Sequence, residues 1–352
     1  MITLSETESR EIFAAAPGRL LPWFAAHARD LPWRADREPY HVWLSEIMLQ
    51  QTRVEAVKGY YARFLDKLPD VAALAAADPE TVSKLWEGLG YYSRARSLQA
   101  AARAIMEQHG GVFPRDYAAI RALPGIGDYT AGAIASICFD EPTPAVDGNV
   151  LRVAARWTGD ARCVDEEATK RAVRAALAEV YPAGRCGDFT QSLMELGATV
   201  CVPNGAPDCA ACPMRDLCRS RDGGWKTLPV RRKKKARRRE ELTVFLLRCG
   251  ELTAVRRRPD EGLLAGLWEF PNVPGHLDPE AAVRQAERWG VRPRELERIL
   301  RRTHVFTHVE WDMQCIVLRC GAAPEGDFTW ASPEALQGEI ALPTAFRMFR
   351  DL

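Results

Sequence analysis

"LPGIGDYTAGAIASICF", residues 123–139, sets Gly125 and Gly127 immediately before an apolar run. Glycine reaches backbone angles closed to other residues, so this spacing permits a tight turn that opens directly into a helix. The unpaired N–H groups at such a helix start lie along the helix dipole and can hold a phosphate. The same turn also serves as an ordinary connection between two helices, and only its surroundings separate the two readings.

Downstream lies "AVDGNV" (145–150), where Asp147-Gly148 reads as a turn and Asn149 as a helix N-cap. Upstream, "YHVWLSEIMLQQTRV" (40–54) sets Glu46 among Trp43, Leu44, Ile47, Met48 and Leu49. A carboxylate kept from water there would have a raised pKa and could act as a general acid near neutrality. The competing reading is a glutamate on a solvated helix face.

Farther along, "CVPNGAPDCAACPMRDLC" (201–218) gathers four of the ten cysteines. One CxxC pair, Cys209 and Cys212, is flanked by Cys201, with seven residues intervening, and by Cys218, with five intervening. Zinc knuckles usually supply two CxxC-like pairs, so the asymmetry favours a cubane iron–sulfur cluster over zinc. Cys138, Cys163, Cys186, Cys249, Cys315 and Cys320 stand apart and read as small buried side chains. The start, "MITLSETESREIF", lacks the basic and apolar regions of a secretory signal, and no stretch is long and apolar enough to span a bilayer. The expectation is a soluble, cytoplasmic chain with no membrane association and no structural disulfides.

The 352 residues, 47% of them apolar, suffice for two or three packed domains. The formal net charge is only +1, yet "KTLPVRRKKKARRR" (226–239) holds nine Lys/Arg and no acid. Such a run reads as a solvated linker or as a segment that follows a phosphate backbone. Before it, apolar residues recur at helical spacing from Trp43 to Leu68, and Ala-rich helices are predicted at 72–77, 95–108, 131–138 and 168–180. After it come the strand-like "LTVFLLRC" and "DMQCIVLRC", with a helix predicted near 279–289. The predicted organisation is a helical domain over 1–225, a basic linker over 226–240 and an α+β domain over 241–352.

Taken together and in this order, these pieces resemble the helix-hairpin-helix DNA glycosylases, and within them the adenine DNA glycosylase (MutY) family. The resemblance runs from "LPWRADREPYHVWLSEIMLQQTRV" through "GLGYYSRAR", "LPGIGDYTAGAIAS", "AVDGNVLRV" and "ELGATVC" to "GLLAGLWEFP" and "HVFTH". It implies a multidomain chain: an all-α helix-hairpin-helix core carrying a [4Fe–4S] cluster, followed by an α+β domain of Nudix (MutT-like) type. The cluster ligands would be Cys201, Cys209, Cys212 and Cys218, with seven residues between the first two where the family usually has six. The implied partner is double-stranded DNA holding adenine opposite 8-oxoguanine or guanine, bound by a monomer.

By the same resemblance, Glu46 would protonate adenine N7 and Asp147 would stabilise the sugar cation, with Tyr129 and Asn149 positioning Asp147. Relatives that also nick the strand carry a lysine where this chain has Tyr129, and a phenol cannot form their Schiff base. Cleavage should therefore stop at the N-glycosidic bond. Arg34 and Gln191 would hold the adenine, Gln51 and Tyr91 would enter the duplex, and Leu49, Thr52, Gly125 and Gly127 would contact DNA. Phe306, Thr307 and His308 match a Phe-Ser-His loop that reads 8-oxoguanine, with threonine in place of serine. The stretch matching the metal-binding helix of Nudix hydrolases, "AAVRQAERWG", offers only Glu287, so recognition rather than nucleotide hydrolysis is expected there.

Overall fold

The computed structural model describes residues 6–233, 236–324 and 326–352. Its helices are α1 (Glu6–His27), α2 (Pro39–Leu49), α3 (Val54–Lys67), α4 (Val71–Ala76), α5 (Pro79–Leu85), α6 (Ser93–Gln108), α7 (Tyr117–Ala122), α8 (Asp128–Phe139), α9 (Gly148–Thr158), α10 (Glu167–Ala178) and α11 (Cys186–Thr199), then α12 (Pro279–Arg288), α13 (Pro333–Gly338) and α14 (Thr344–Arg347). The strands are β1 (Arg238–Cys249), β2 (Leu252–Arg257), β3 (Trp268–Glu269), β4 (Asn272–Pro274), β5 (Pro293–Val305), β6 (Val309–Cys320) and β7 (Thr329–Ala331). No described helix is long and apolar enough to cross a membrane. The chain divides into two compact units, one of residues up to 76 with 97–233, the other of 77–96 with the residues beyond 233.

In the helical unit, α2 and α8 are buried over most of their length and pack on each other, while α11 packs on α1, α8 and α9. Close approach is possible because the contact positions are small. A Cβ on Gly197 of α11 would lie 2.7 Å from the Cβ of Asn149 on α9, closer than real Cβ atoms come. The turn between α7 and α8 takes the form the glycines suggest. Gly125 has φ +73°, and any side chain there would strike Ser97, whereas Gly127 is extended, caps α8 and has open space where a Cβ would stand.

At the start of α9 the structure corrects the sequence reading: the N-cap is Asp147, not Asn149. Asp147 is extended, with φ −97° and ψ −176°, and its side chain accepts from Val150 N. That geometry belongs to a cap and leaves Asn149 inside the first turn. The basic run also departs from a free linker in its first half. Leu228 is buried, Arg156 Nε donates to the carbonyl of Leu228, and Val164 N donates to that of Val230. Lys234 and Lys235 of the run lie outside the described residues.

The second unit is a mixed sheet in the order β3-β2-β1-β6-β5, with β4 on β1 and β7 on β2. Its central pair, β1 and β6, is parallel. Leu242, Val244 and Leu246 of β1 point into one core with α13 and α14, and Phe245 and Leu247 into another with α12. Burial on both faces explains why these strands read as continuous apolar runs. Residues 77–96 join this unit through specific bonds: Trp268 Nε1 donates to Glu80, Lys84 Nζ to the carbonyl of Ile340, and Leu342 N to Glu87. No periodicity signals these contacts, which arise between segments far apart in the chain.

Candidate active site

A cleft of about 590 Å³ opens in the helical unit, within the range of small-molecule pockets. Glu46, Tyr129, Asp147, Asn149, Arg34 and Gln191 all line it, and Leu49, Gln51 and Thr52 form part of its wall. The sequence separates these residues by up to 157 positions; the packing of α2, α8, α9 and α11 brings them together.

Glu46 comes from the middle of α2 and is 7% exposed. Burial drives its pKa up to about 7, with nearby Asp147 adding to the rise and the hydrogen bond from Tyr129 opposing it. The Tyr129 hydroxyl donates to Glu46 Oε2 at 2.5 Å. This corrects the expectation that Tyr129 positions Asp147: the second residue of α8 projects toward α2. Burial also raises the Asp147 carboxyl, against the pull of Val150 N and Asn149. Asp147 Oδ1 accepts from Val150 N at 2.7 Å and Oδ2 from Asn149 Nδ2 at 2.8 Å. One cleft thus holds two carboxylates in unlike settings, one beside a phenol and the other fixed by amide donors at a helix start. A single proton shared by the cleft belongs on Glu46, because the donors around Asp147 and the dipole of α9 favour its charged form.

Asn149 is itself held from behind. Arg152 Nη2 donates to Asn149 Oδ1 at 2.8 Å and to the carbonyl of Gly197 at 2.7 Å, and its Nε reaches the carbonyl of Cys201 at 2.9 Å. The opposite wall contains a group the sequence reading missed. Glu195 is fully buried and accepts from Arg29 Nε at 2.6 Å and from Arg34 Nη2 at 2.8 Å. Burial alone would raise the Glu195 pKa, but the two guanidinium groups bring it below its usual value. Arg34 is therefore fixed at the cleft edge by an ion pair. The available signal was the glutamate that opens "ELGATVC", placed between buried neighbours on α11, where a charge requires a partner.

Cys201, Cys209, Cys212 and Cys218 line one small cavity beside Arg156, and none of the ten cysteines is in a disulfide. Among the described residues, only Glu241, His276 and Asp312 bring three His, Cys, Asp or Glu ligand atoms within 4.8 Å of one another. Arg156 Nη1 lies 3.3 Å from Cys201 Sγ, a donor suited to a charged sulfur.

The remaining expected residues fall elsewhere. Gly125 and Gly127 form the α7–α8 turn, away from the cleft lining. In the second unit, the Tyr91 hydroxyl lies 2.5 Å from Thr307 Oγ1, across 216 positions of sequence. Tyr91 is 45% exposed with φ +48°, and the other expected wedge, Gln51, has φ +59°. Among the described residues, the non-glycine residues with positive φ are Gln51, Tyr91, Asp140 and Leu264, a backbone conformation that costs energy in any of them. Arg94 steadies the Tyr91 loop by donating to the carbonyls of Leu89 and Gly90, with its guanidinium 5.6 Å from the Tyr91 ring centre. In the loop between β5 and β6, Thr307 and His308 are exposed, whereas Phe306 packs edge-on against His304 and Trp311.

Comparison with known proteins fits this arrangement. Residues 44–183 match the model of the HhH-GPD superfamily of base excision DNA repair proteins, and residues 243–351 match the NUDIX domain. The chain is 37% identical to the adenine DNA glycosylase of Mus musculus over 94% of its own length and 77% of that protein's. It is 32% identical to that of Schizosaccharomyces pombe, over 91% of this chain and 83% of the other. Among solved structures, a thermostable thymine-DNA glycosylase is 29% identical with a TM-score of 0.54, covering 61% of this chain and 98% of that one. The fold, the cleft and these similarities together show that the chain belongs to the adenine DNA glycosylase family, within the HhH-GPD superfamily of base excision repair proteins.

Proposed function

We propose that this DNA glycosylase removes adenine mispaired with 8-oxoguanine, or with guanine, by hydrolysing the N-glycosidic bond and leaving the strand intact. The observation that carries the reading is the pair Glu46 and Asp147 in one cleft, with Glu46 raised to about 7 and Asp147 held by amide donors. An adenine inside a stacked duplex is out of reach, so it must be flipped into the cleft at a cost of a few kcal/mol. Gln51 and Tyr91 would replace the stacking lost on flipping.

Glu46 would give its proton to adenine N7, so that the base leaves neutral as the bond to the sugar breaks. Asp147, ionised, would stabilise the oxocarbenium-like sugar on the other side, the division of labour of paired carboxylates in glycoside hydrolysis. Tyr129 would hold Glu46 in place, and Asn149 would hold Asp147. Arg34, fixed by Glu195, and Gln191 would line the base. Thr307 and His308 would face the oxidised partner base, with Phe306 anchoring their loop.

The four cysteines fit a [4Fe–4S] cluster, since all four line one cavity and their spacing is not that of two CxxC pairs. A bound cluster would supply structure, fixing the 201–218 loop whose Cys201 carbonyl supports Arg152. The test of the reaction is an end-labelled duplex with a single A:8-oxoguanine pair. The adenine strand should stay full length during incubation and break at the adenine only in hot alkali. Breakage without alkali would show lyase chemistry and overturn the monofunctional reading.

A further inference from the structure

The basic run is fixed to the helical unit as far as Arg232, and this gives one of its cations a definite place. Arg156 Nη2 donates to the carbonyl of Trp225 and its Nε to that of Leu228. Val164 N then binds the carbonyl of Val230 at 3.0 Å, and Arg232 N binds Asp165 Oδ2 at 2.9 Å. Arg231 stands between two pinned residues, so its side chain leaves the backbone in a set direction. Its Nη2 comes within 3.5 Å of where a Cβ on Gly148 would stand. Gly148 is exposed and directly follows Asp147.

We propose that Arg231 is a phosphate-binding residue at the edge of the active-site cleft, taking the DNA phosphodiester beside the flipped nucleotide. The inference rests on the reading that Asp147 faces the sugar of that nucleotide. The phosphates on either side are bonded to that same sugar, so one of them passes the exposed backbone at Gly148. A guanidinium there presents two parallel N–H donors to the phosphate oxygens, a geometry that lysine lacks. The ion pair that Arg231 makes among the described residues, to Asp165 Oδ1, is 3.8 Å long, beyond hydrogen-bond distance, and the side chain is 51% exposed. The fork therefore has donors free for an incoming anion. The pinned backbone means that little order has to be imposed on binding.

The experiment measures duplex affinity across a salt series, using the full-length protein and a duplex with 2′-fluoro-2′-deoxyadenosine opposite 8-oxoguanine, whose glycosidic bond resists cleavage. Arg231→Ala should weaken binding several-fold and reduce the slope of log Kd against log salt by about 0.9, the loss of one phosphate contact. Arg231→Lys should keep the slope and recover part of the affinity. Asp165→Asn removes the acid that pairs with Arg231 among the described residues while leaving the cation, and should keep the wild-type slope. An unchanged slope in Arg231→Ala, or the same loss in Asp165→Asn, overturns the proposal in favour of a structural pair. If wild type releases adenine and binds the duplex but Arg231→Ala keeps its slope, this inference alone fails; if wild type binds no duplex, the functional reading fails with it.

Discussion

Tyr129 donates its hydroxyl to Glu46 Oε2 across 2.5 Å, joining the start of α8 to the middle of α2. That bond favours the ionised carboxylate and so works against the burial that raises Glu46 to about 7. If Glu46 must carry a proton to act, single-turnover adenine release should fall about tenfold per pH unit above about 7. Tyr129→Phe removes the opposing bond, so the break should move to higher pH. A break at the wild-type position in that variant would show that the titrating group is not Glu46.

Glu46 also makes stability depend on pH. Its pKa is about 7 in the folded chain and 4.5 ordinarily, so between those values the folded state binds the proton that the unfolded state releases. Stability from the protonated group is fully present below the lower value and is lost as pH rises through the upper one, up to about 3 kcal/mol. Glu46→Gln has no proton to lose and can still accept from Tyr129. It should melt at nearly the wild-type temperature near pH 4.5 and above it near pH 8.5. Equal melting temperatures at the higher pH would mean that the ionised carboxylate is better solvated than its burial implies.

Gly197 and Asn149 are in contact across α11 and α9, and Gly197→Ala would set two Cβ atoms 2.7 Å apart. Asn149 must then shift, and with it the bond to Asp147 Oδ2. A hydrogen bond to a charged group contributes about 1.5–3 kcal/mol, so adenine release should slow by roughly ten- to a hundredfold. Duplex affinity should change little, because Gly197 is buried and the shift is confined to Asn149 at the floor of the cleft. A variant with normal turnover would show that the helices part without moving Asp147.

The sequence made the site legible wherever chemistry and local pattern coincided. Glu46 in an apolar helix and the four clustered cysteines were visible in single stretches. Gly125 and Gly127 announced their turn because only glycine fits the +73° position. What stayed hidden depends on contacts between distant elements. The partner of Tyr129 is 83 positions away, and Glu195 meets Arg29 and Arg34 across more than 160. From sequence Asp147 reads as part of a turn because Asp and Asn are both good caps, and only backbone angles decide between them. The folded start of the basic run was masked by its charge, which reads as solvated although its backbone is pinned.

In the second unit, the hydroxyls of Tyr91 and Thr307 form one unit of contact. If they sense the oxidised base together, Thr307→Val and Tyr91→Phe should each lower the preference for A:8-oxoguanine over A:G. The expected loss is roughly fivefold, near 1 kcal/mol for one hydrogen bond. The double variant should be little worse than either single one, since both remove the same contact. Additive losses would mean that the two hydroxyls act separately.

The central claim is that Glu46 supplies the proton that releases the base. The direct measurement is single-turnover release of labelled adenine from an A:8-oxoguanine duplex by wild type and by Glu46→Gln, with duplex binding measured alongside. The amide has no acidic proton to give, so release by Glu46→Gln should fall by at least a thousandfold while affinity stays within a few-fold of wild type. Release at the wild-type rate by Glu46→Gln would contradict the account.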